Sequence, residues 1–521
     1  MPSRSLLNRV PFSEAHERAL EAWYAGDYRL TLEILATTRP KTGDDVAEVA
    51  LLRSRALQRA GNHRASLEAA RAAGVGIGAD ALATSLMLQG AALTRLGDYD
   101  EATRVLAEAG AVKGAHRTIT AEVLMQQAFL AWKRGDVVAS RSLAVKAIGR
   151  ADDIVLARAQ ELLGYVNASE EKFAEAARSF REALATLSAS DHRDELLHLN
   201  VLTSAMSYAF ERLEVDMVDE MRAALARISW TADLLKGRLH AYDMAGWLAL
   251  VAGQTEAAWN DFLAAAESTH AESPGRVIAL TNFASLYRTV NETFAARRHI
   301  ERASRIARSI DWATADSEER VDLLLWAAES ARLGMPASLD DLKRFDELPR
   351  GAGDRAFDHA DRRVTAFRLV ARGLTVAASD PNRAIKMLDK ALKIWLEIGY
   401  RYRAATTALD LYRLAENPDY LVIAQHQASV VRKGFLATTI RADRRREERG
   451  LGDLTAAERA VLASILDGKS NAAIAQDRGG SLQTVKNQTR RIFQAMKVGS
   501  RAELFVVCGS LGITSSSLED A

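Results

Sequence analysis

Near the carboxyl end, Gln483, Lys486, Asn487, Arg490, Arg491 and Gln494 recur at three- and four-residue spacing, which on a helix places them on one side. Cations neutralise phosphate, and forked or amide donors reach base edges, so a short helix with this stripe carries the chemistry needed to read a DNA major groove. Lys486 and Arg490 lie one turn apart and can address base edges from a single groove position. The Asn487 amide suits an adenine edge, while Thr484, Arg491 and Arg501 suit phosphate positioning. A solvated charged face is the plainer reading of the same residues. On the opposite side Leu482, Val485, Thr489, Ile492 and Met496 are expected to point into a small core.

Such a stripe needs neighbours to hold it outward. Thr455-x-x-Glu458 and Ser500-x-x-Glu503 have the form of capping boxes, so helices are expected to begin there. A second helix is expected to open at Ser470. After a Gly479-Gly480 turn, Ser481 is expected to cap the recognition helix, which runs over about 482–496, beside a DNA phosphate. In the last helix, residues 501–511, Leu504, Phe505, Val507, Cys508 and Leu511 divide between covering this core and forming a dimer seam.

Leu454-Thr455-x-x-Glu458, Ser470-Asn471-x-x-Ile474-Ala475, Ser481-x-x-Thr484-Val485-Lys486-Asn487 and Ser500-Arg501-Ala502-Glu503-Leu504 together resemble the LuxR-type helix-turn-helix of bacterial transcription regulators. The resemblance spans about 453–514. It implies base contacts from Lys486 and Arg490, and a homodimer that sets two recognition helices on a palindromic double-stranded DNA site. The chain departs from the family at Ala473, where a glutamate usually completes a cap. It departs again at Arg478-Gly479-Gly480, which replaces a buried leucine and two apolar residues. A looser turn is expected, with Arg478 facing outward towards phosphate.

The charge of the chain divides unevenly. Residues 437–514 carry thirteen Lys/Arg against eight Asp/Glu, whereas the 521-residue chain has a formal net charge of only +1. Only the C-terminal part therefore has the sign of a nucleic-acid binder. The single cysteine, Cys508, excludes an internal disulfide framework, fits a reducing cytoplasm and is expected to be a packing residue. No apolar run reaches the roughly 18 residues of a membrane span. Residues 1–19 lack the apolar stretch of a signal peptide, so a cytoplasmic protein is expected.

The first four hundred residues repeat with a period in the high thirties. Gly97-Asp98-Tyr99 marks a turn between helices and recurs as Gly26-Asp27-Tyr28, Gly61-Asn62-His63, Gly135-Asp136-Val137 and Gly253-Gln254-Thr255. Seven residues before each turn stand Ala19, Ser54, Gly90, Ala128, Gly164, Ser207, Gly246 and Ala284. Twelve after it stand Thr38, Ala73, Ala109, Ala147, Ala183, Ala226, Ala265 and Ala303. Small residues at both offsets predict close backbone approach and a stacked α-solenoid resembling tetratricopeptide repeats. A further hairpin with Ala384 and Ala391 fits, 305–375 fits loosely, and irregular pairs are expected near 210 and 310–370. The whole is an all-α chain: a tetratricopeptide-like repeat domain over 1–436, a charged linker at 437–452, the helix-turn-helix at 453–514 and a tail at 515–521. The arginine-rich stretch within that linker reads as solvated linker, helix extension or phosphate-contacting arm.

Enzyme signatures fail. Gly468-Lys469-Ser470 imitates a phosphate-binding loop, but Ala463 stands where its first glycine belongs and a helix precedes it. His192 and His198 share no helix face, and Asp152-Asp153 and Asp340-Asp341 are adjacent carboxylates that face apart, so no metal, cofactor or acid/base pair is expected. The repeat domain is expected to receive a peptide, protein or small-molecule signal on its concave face. Asn167, Asn200 and Asn282 are candidate hydrogen-bonding groups there, against their plainer reading as caps or solvated amides, and Trp132 and Trp247 are read as core. The competing reading is an interaction scaffold whose helix-turn-helix has lost DNA binding.

Overall fold

The computed structural model describes residues 12–74, 78–151, 153–190, 194–231, 233–310, 317–338, 340–343, 362–431, 434–448, 454–510, 513–515 and 518. The expected linker's end at 449–452, most of the tail, His192 and Asp152 lie outside the described residues. All regular structure among the described residues is helical. The helices pair in chain order as α1/α2 (Phe12–Tyr24, Tyr28–Thr37), α3/α4 (Gly43–Arg59, His63–Arg71), α5/α6 (Ala79–Leu96, Tyr99–Ala111), α7/α8 (Arg117–Lys133, Val137–Ile148) and α9/α10 (Asp153–Ser169, Phe173–Ala189). Next come α11/α12 (Glu195–Arg212, Val218–Ala226), α13/α14 (Leu235–Val251, Thr255–Glu267), α15/α16 (Pro274–Thr289, Thr293–Ser309) and α17 (Ser317–Arg332). The repeats end with α18/α19 (Arg362–Val376, Pro381–Ile398), α20/α21 (Arg401–Ala415, Pro418–Gln427) and α22 (Phe435–Glu448). A last group, α23 (Ala456–Leu466), α24 (Asn471–Asp477), α25 (Leu482–Ala495) and α26 (Arg501–Ser510), follows. Among the described residues no helix is long and apolar enough to cross a membrane.

The turns explain the repeat. Gly26, Gly61, Gly97, Gly135 and Gly253 adopt φ between 75° and 85°, the left-handed conformation that ends a helix at least cost when no Cβ is present. Glu171, Leu213 and Asn291 adopt it without glycine, at φ 58°, 58° and 67°. These residues hold the matching turns of three further hairpins. Seven residues earlier, Gly164 and Gly246 lie so close to the second helix that a Cβ would stand 2.6 Å from Phe180 and 2.5 Å from Phe262. Ser54 instead donates its hydroxyl to the Ser66 carbonyl at 2.8 Å across the same contact. The alanines at the second offset, Ala73, Ala109, Ala147, Ala183, Ala265 and Ala303, are all buried.

The sixth hairpin breaks the pattern. Its turn residue is Leu213, which places Met206 and Leu225 at the two offsets. Both are buried, whereas Ser207 is half-buried and Ala226 exposed. The expected small pair there is thus one residue out of register, and two large apolar side chains occupy the contact. The short α12 and the irregular connection to α13 accompany this change.

The solenoid also folds back on itself. Helix α20 lies against the first helices of earlier hairpins: Arg403 binds Glu211 of α11 at 2.8 Å, Arg332 of α17 binds Asp410 at 2.7 Å, and the Tyr402 ring stands 4.4 Å from Phe210. Leu436 and Ile440 of α22 join the same core. The stretch expected as a linker from 437 therefore begins as helix packed on the repeats, with Ala437, Ile440 and Asp443 buried.

Candidate nucleic-acid interface

The C-terminal helices close around their own core of Leu454, Val461, Leu462, Ile465, Ile474, Val485, Ile492, Met496, Leu504 and Cys508. Helix α23 starts with a complete capping box. The Glu458 amide donates to the Thr455 hydroxyl at 3.3 Å, and the Thr455 amide donates to the Glu458 carboxylate at 2.8 Å. Burial alone would raise the Glu458 pKa, yet the Thr455 amide and hydroxyl and the nearby Arg491 hold it below the usual carboxylate range. At α26 the box is altered: Ser500 accepts from the Glu503 amide at 3.2 Å, but Glu503 reaches the Gly499 amide at 2.7 Å. Ser470 caps α24 through the Ala473 amide at 3.2 Å, with no carboxylate to return the bond.

The Arg478-Gly479-Gly480 turn is tighter than expected. Gly480 donates to the Ala475 carbonyl at 2.9 Å and Gly479 to the Gln476 carbonyl at 3.2 Å, the two bonds of a Schellman motif, with Gly479 at φ 60°. Arg478 is exposed, as expected, but its guanidinium donates to the Ala457 carbonyl at 3.0 Å and so ties α24 back to the start of α23.

Ser481 caps α25 by accepting from the Thr484 amide at 3.0 Å, and its hydroxyl meets that of Thr484 at 2.8 Å. Beyond this cap Gln483, Lys486, Asn487, Arg490, Arg491 and Gln494 are all exposed along one side, while Val485, Thr489, Ile492 and Met496 are buried. Leu482 is the exception: at the helix's first turn it is 43 % exposed and does not enter the core. Lys486 and Arg490 form no ion pair or hydrogen bond with any described residue, and Asn487 accepts from the Gln483 amide at 3.2 Å. Their donors are free for a ligand.

The outer arginines differ. Arg491 stands 3.3 Å from buried Glu458 while remaining 68 % exposed. Arg501 turns inward and donates to the Asn471 side-chain carbonyl at 3.2 Å. Thr489 approaches the same oxygen at 3.3 Å, so Asn471 gathers α24, α25 and α26 at one point. Sequence reasoning placed Asn471 in the motif without assigning it this role. Its signal is a carboxamide directly after a helix cap, where its oxygen can collect donors from other helices. Cys508 is buried, and burial pushes its thiol up to about 11, as suits a packing residue. Phe505 and Val506 of α26 are 41 % and 72 % exposed. The module also meets the repeats through an ion pair of Arg459 with Glu416.

On the repeats, two of the three candidate amides are structural. Asn167 donates to Ser179 at 3.2 Å and accepts from Arg141 at 2.8 Å. Asn282 accepts from the Trp247 indole at 3.1 Å and donates to Asp243. Asn200 is exposed. Trp132 is buried and Trp247 packs into the core, as expected, the latter against Phe262 and Tyr402.

Stacked helical hairpins followed by a compact helix-turn-helix with a free cationic side define the class. The protein is a tetratricopeptide-like α-solenoid carrying a LuxR-type module. Residues 453–508 match the GerE family, bacterial regulatory proteins of the luxR family. Similar solved structures include a tetratricopeptide repeat protein from Parabacteroides merdae ATCC 43184 (19% identity, TM-score 0.35, covering 57% of this chain and 99% of that one). Others are the apo form of RapI (10% identity, TM-score 0.41, 71% and 99%) and the APC/C hetero-tetramer Cut9–Hcn1 (12% identity, TM-score 0.25, 85% and 91%). No curated protein sequence matches the chain.

Proposed function

We propose that this protein is a transcriptional regulator whose C-terminal helix-turn-helix binds promoter DNA and whose repeat domain receives the signal that controls it. The observation that carries this reading is the unpartnered Lys486/Arg490 pair on an exposed recognition helix within a match to a DNA-binding regulator family. Lys486, Arg490 and Asn487 face base edges, with Ser481, Thr484 and Arg491 on the phosphates beside them. Arg501 supports these contacts from within, through Asn471, and presents its remaining N–H groups to phosphate. Two copies associate through the exposed Phe505 and Val506 of α26, giving half-sites about one DNA turn apart. The working compartment is the cytoplasm, and no catalysis is involved.

Selection of bound sequences from a random DNA pool by the full chain, followed by footprinting at two salt concentrations, tests the reading. Enrichment of a two-fold symmetric site with affinity that falls steeply with salt supports it. Absence of any enriched site, with a stably folded protein, favours the scaffold reading in its place.

A further inference from the structure

Helix α16 concentrates cations in a chain whose formal net charge is only +1. Its 17 residues hold five arginines, Arg297, Arg298, Arg302, Arg305 and Arg308, and one acid, Glu301; all six are exposed. The six divide between two sides. Arg297, Glu301 and Arg308 share the flank towards residues 333–341. There Arg297 donates to the Leu333 carbonyl at 3.1 Å, Arg308 stands 3.4 Å from Asp341, and Glu301 lines a cleft with Met335 and Pro336. Arg298, Arg302 and Arg305 stand apart from that flank. Successive residues turn by about 100° and rise by about 1.5 Å, so these three fall within about 60° of the circumference and along about 10 Å of axis.

None of the three forms an ion pair or hydrogen bond with a described residue. On α2, α6 and α12, by contrast, Arg29 pairs with Glu33 at 3.2 Å, Arg104 with Glu101 at 2.5 Å and Arg222 with Asp261 at 2.7 Å. Like charges three and four residues apart destabilise a helix, and nothing described on this side of α16 offsets that cost. The uncompensated field reaches His299, whose pKa is lowered first by burial and then by Arg302, Arg298 and Arg276. Phe294, 76 % exposed, is the one large apolar side chain that α16 exposes among the described residues. A stable protein interface has an apolar centre, which a single phenylalanine at the helix's start does not supply. Phosphates need only the cations. Over about 10 Å of duplex one strand presents about three of them, and guanidinium forks match phosphate oxygens.

We infer that the Arg298/Arg302/Arg305 side of α16 is a second, sequence-independent contact for duplex DNA, with its guanidinium groups on the phosphates of one strand. The contact lies outside the helix-turn-helix and rests on the regulator reading only for bringing duplex DNA to the chain.

Fluorescence anisotropy of the full-length protein on an arbitrary duplex, over a range of salt, tests it. Arg298→Gln, Arg302→Gln and Arg305→Gln are combined, both in the wild type and in the Lys486→Ala/Arg490→Ala background. In each background the triple variant should bind tenfold or more weakly at low salt. The slope of log affinity against log salt should fall by about two to three, at about 0.9 per phosphate released. Preference for a selected site over a scrambled one should not change, and three lysines in place of the arginines should restore most of the slope. Phenylglyoxal labelling of the three wild-type arginines, read by peptide mass spectrometry, should be suppressed by added duplex and needs no variant. An unchanged slope in the triple variant, or labelling indifferent to duplex, overturns the proposal. Tighter binding of poly-L-glutamate than of duplex at equal charge also overturns it and assigns the face to an acidic protein. If no sequence is ever preferred and the triple variant still loses the arbitrary duplex, the regulator reading falls and this contact stands.

Discussion

Replacing Lys486 and Arg490 together by alanine separates recognition from folding. Neither side chain has an intramolecular partner and both are exposed, so the fold should lose no more than about 0.5 kcal/mol, as for ordinary surface substitutions. Each good base contact contributes about 1–3 kcal/mol of discrimination. Two such contacts one turn apart contribute about 2–6 kcal/mol, or roughly 30-fold to 10⁴-fold, at about 1.4 kcal/mol per tenfold. Arg501→Ala is the contrasting change. It removes a half-buried bond to Asn471 at 3.2 Å, which should cost about 1 kcal/mol of module stability. The assay is fluorescence anisotropy on selected and scrambled duplexes, paired with hydrogen exchange of α24 to α26 in the full chain. The double variant should lose discrimination with unchanged amide protection, whereas Arg501→Ala should lose protection and weaken both duplexes alike. A double variant that still prefers its site by the wild-type ratio would refute the placement of α25 in the groove.

Val506→Glu places a charge on a residue that is 72 % exposed, so the monomer should fold normally, while sedimentation should show a weaker dimer and footprinting the loss of paired half-sites. Arg403→Ala leaves Glu211 buried without its partner; the expected cost is about 3–5 kcal/mol, seen as faster amide exchange in α20 and α22. Asp243 is raised to about 7, chiefly by burial, with His240, the Asn282 amide and Arg403 opposing. Because its folded pKa lies above its ordinary value of 3.8, the wild-type protein loses stability as pH rises between these values and levels off above them. Asp243→Asn should remove that slope and gain on the order of 1–3 kcal/mol above the window in denaturant titrations, while keeping an acceptor for Asn282.

Local chemistry made the C-terminal module legible. Caps at Thr455, Ser470, Ser481 and Ser500 and a two-sided α25 are written in neighbouring residues, and the structure places each of them. What failed there depends on partners farther away. Leu482 has the right spacing for the core, but at the first turn of α25 it remains 43 % exposed. Arg501 looks like a surface cation until Asn471, thirty residues earlier, is seen to accept from it. In the sixth hairpin, spacing favoured Ser207 and Ala226 because they are small. The chain instead filled the contact with Met206 and Leu225, because Leu213 took the left-handed turn that glycine takes elsewhere.

The repeat's period says how each hairpin meets the next and nothing about which hairpins meet after a full superhelical turn. Arg403 finds Glu211 across 192 residues and Tyr28 finds Asp233 across 205, and no local pattern marks either pair. A compositional trace does exist: Asp194, Glu211, Asp243 and Glu329 are acids on or at the start of the first helices, buried almost completely. Burying a carboxylate is costly unless a cation or donor accompanies it, so each such acid on an otherwise apolar first helix implies a partner brought from elsewhere. Three of the four receive an arginine, from α3, α9, α15 or α20, and Asp243 receives the Asn282 amide. The charges that close the ring and seat α20 thus divide the concave face in two. One part is covered by the chain's own C-terminal helices, and along the other the first hairpins close on one another through Asp194 and Asp233.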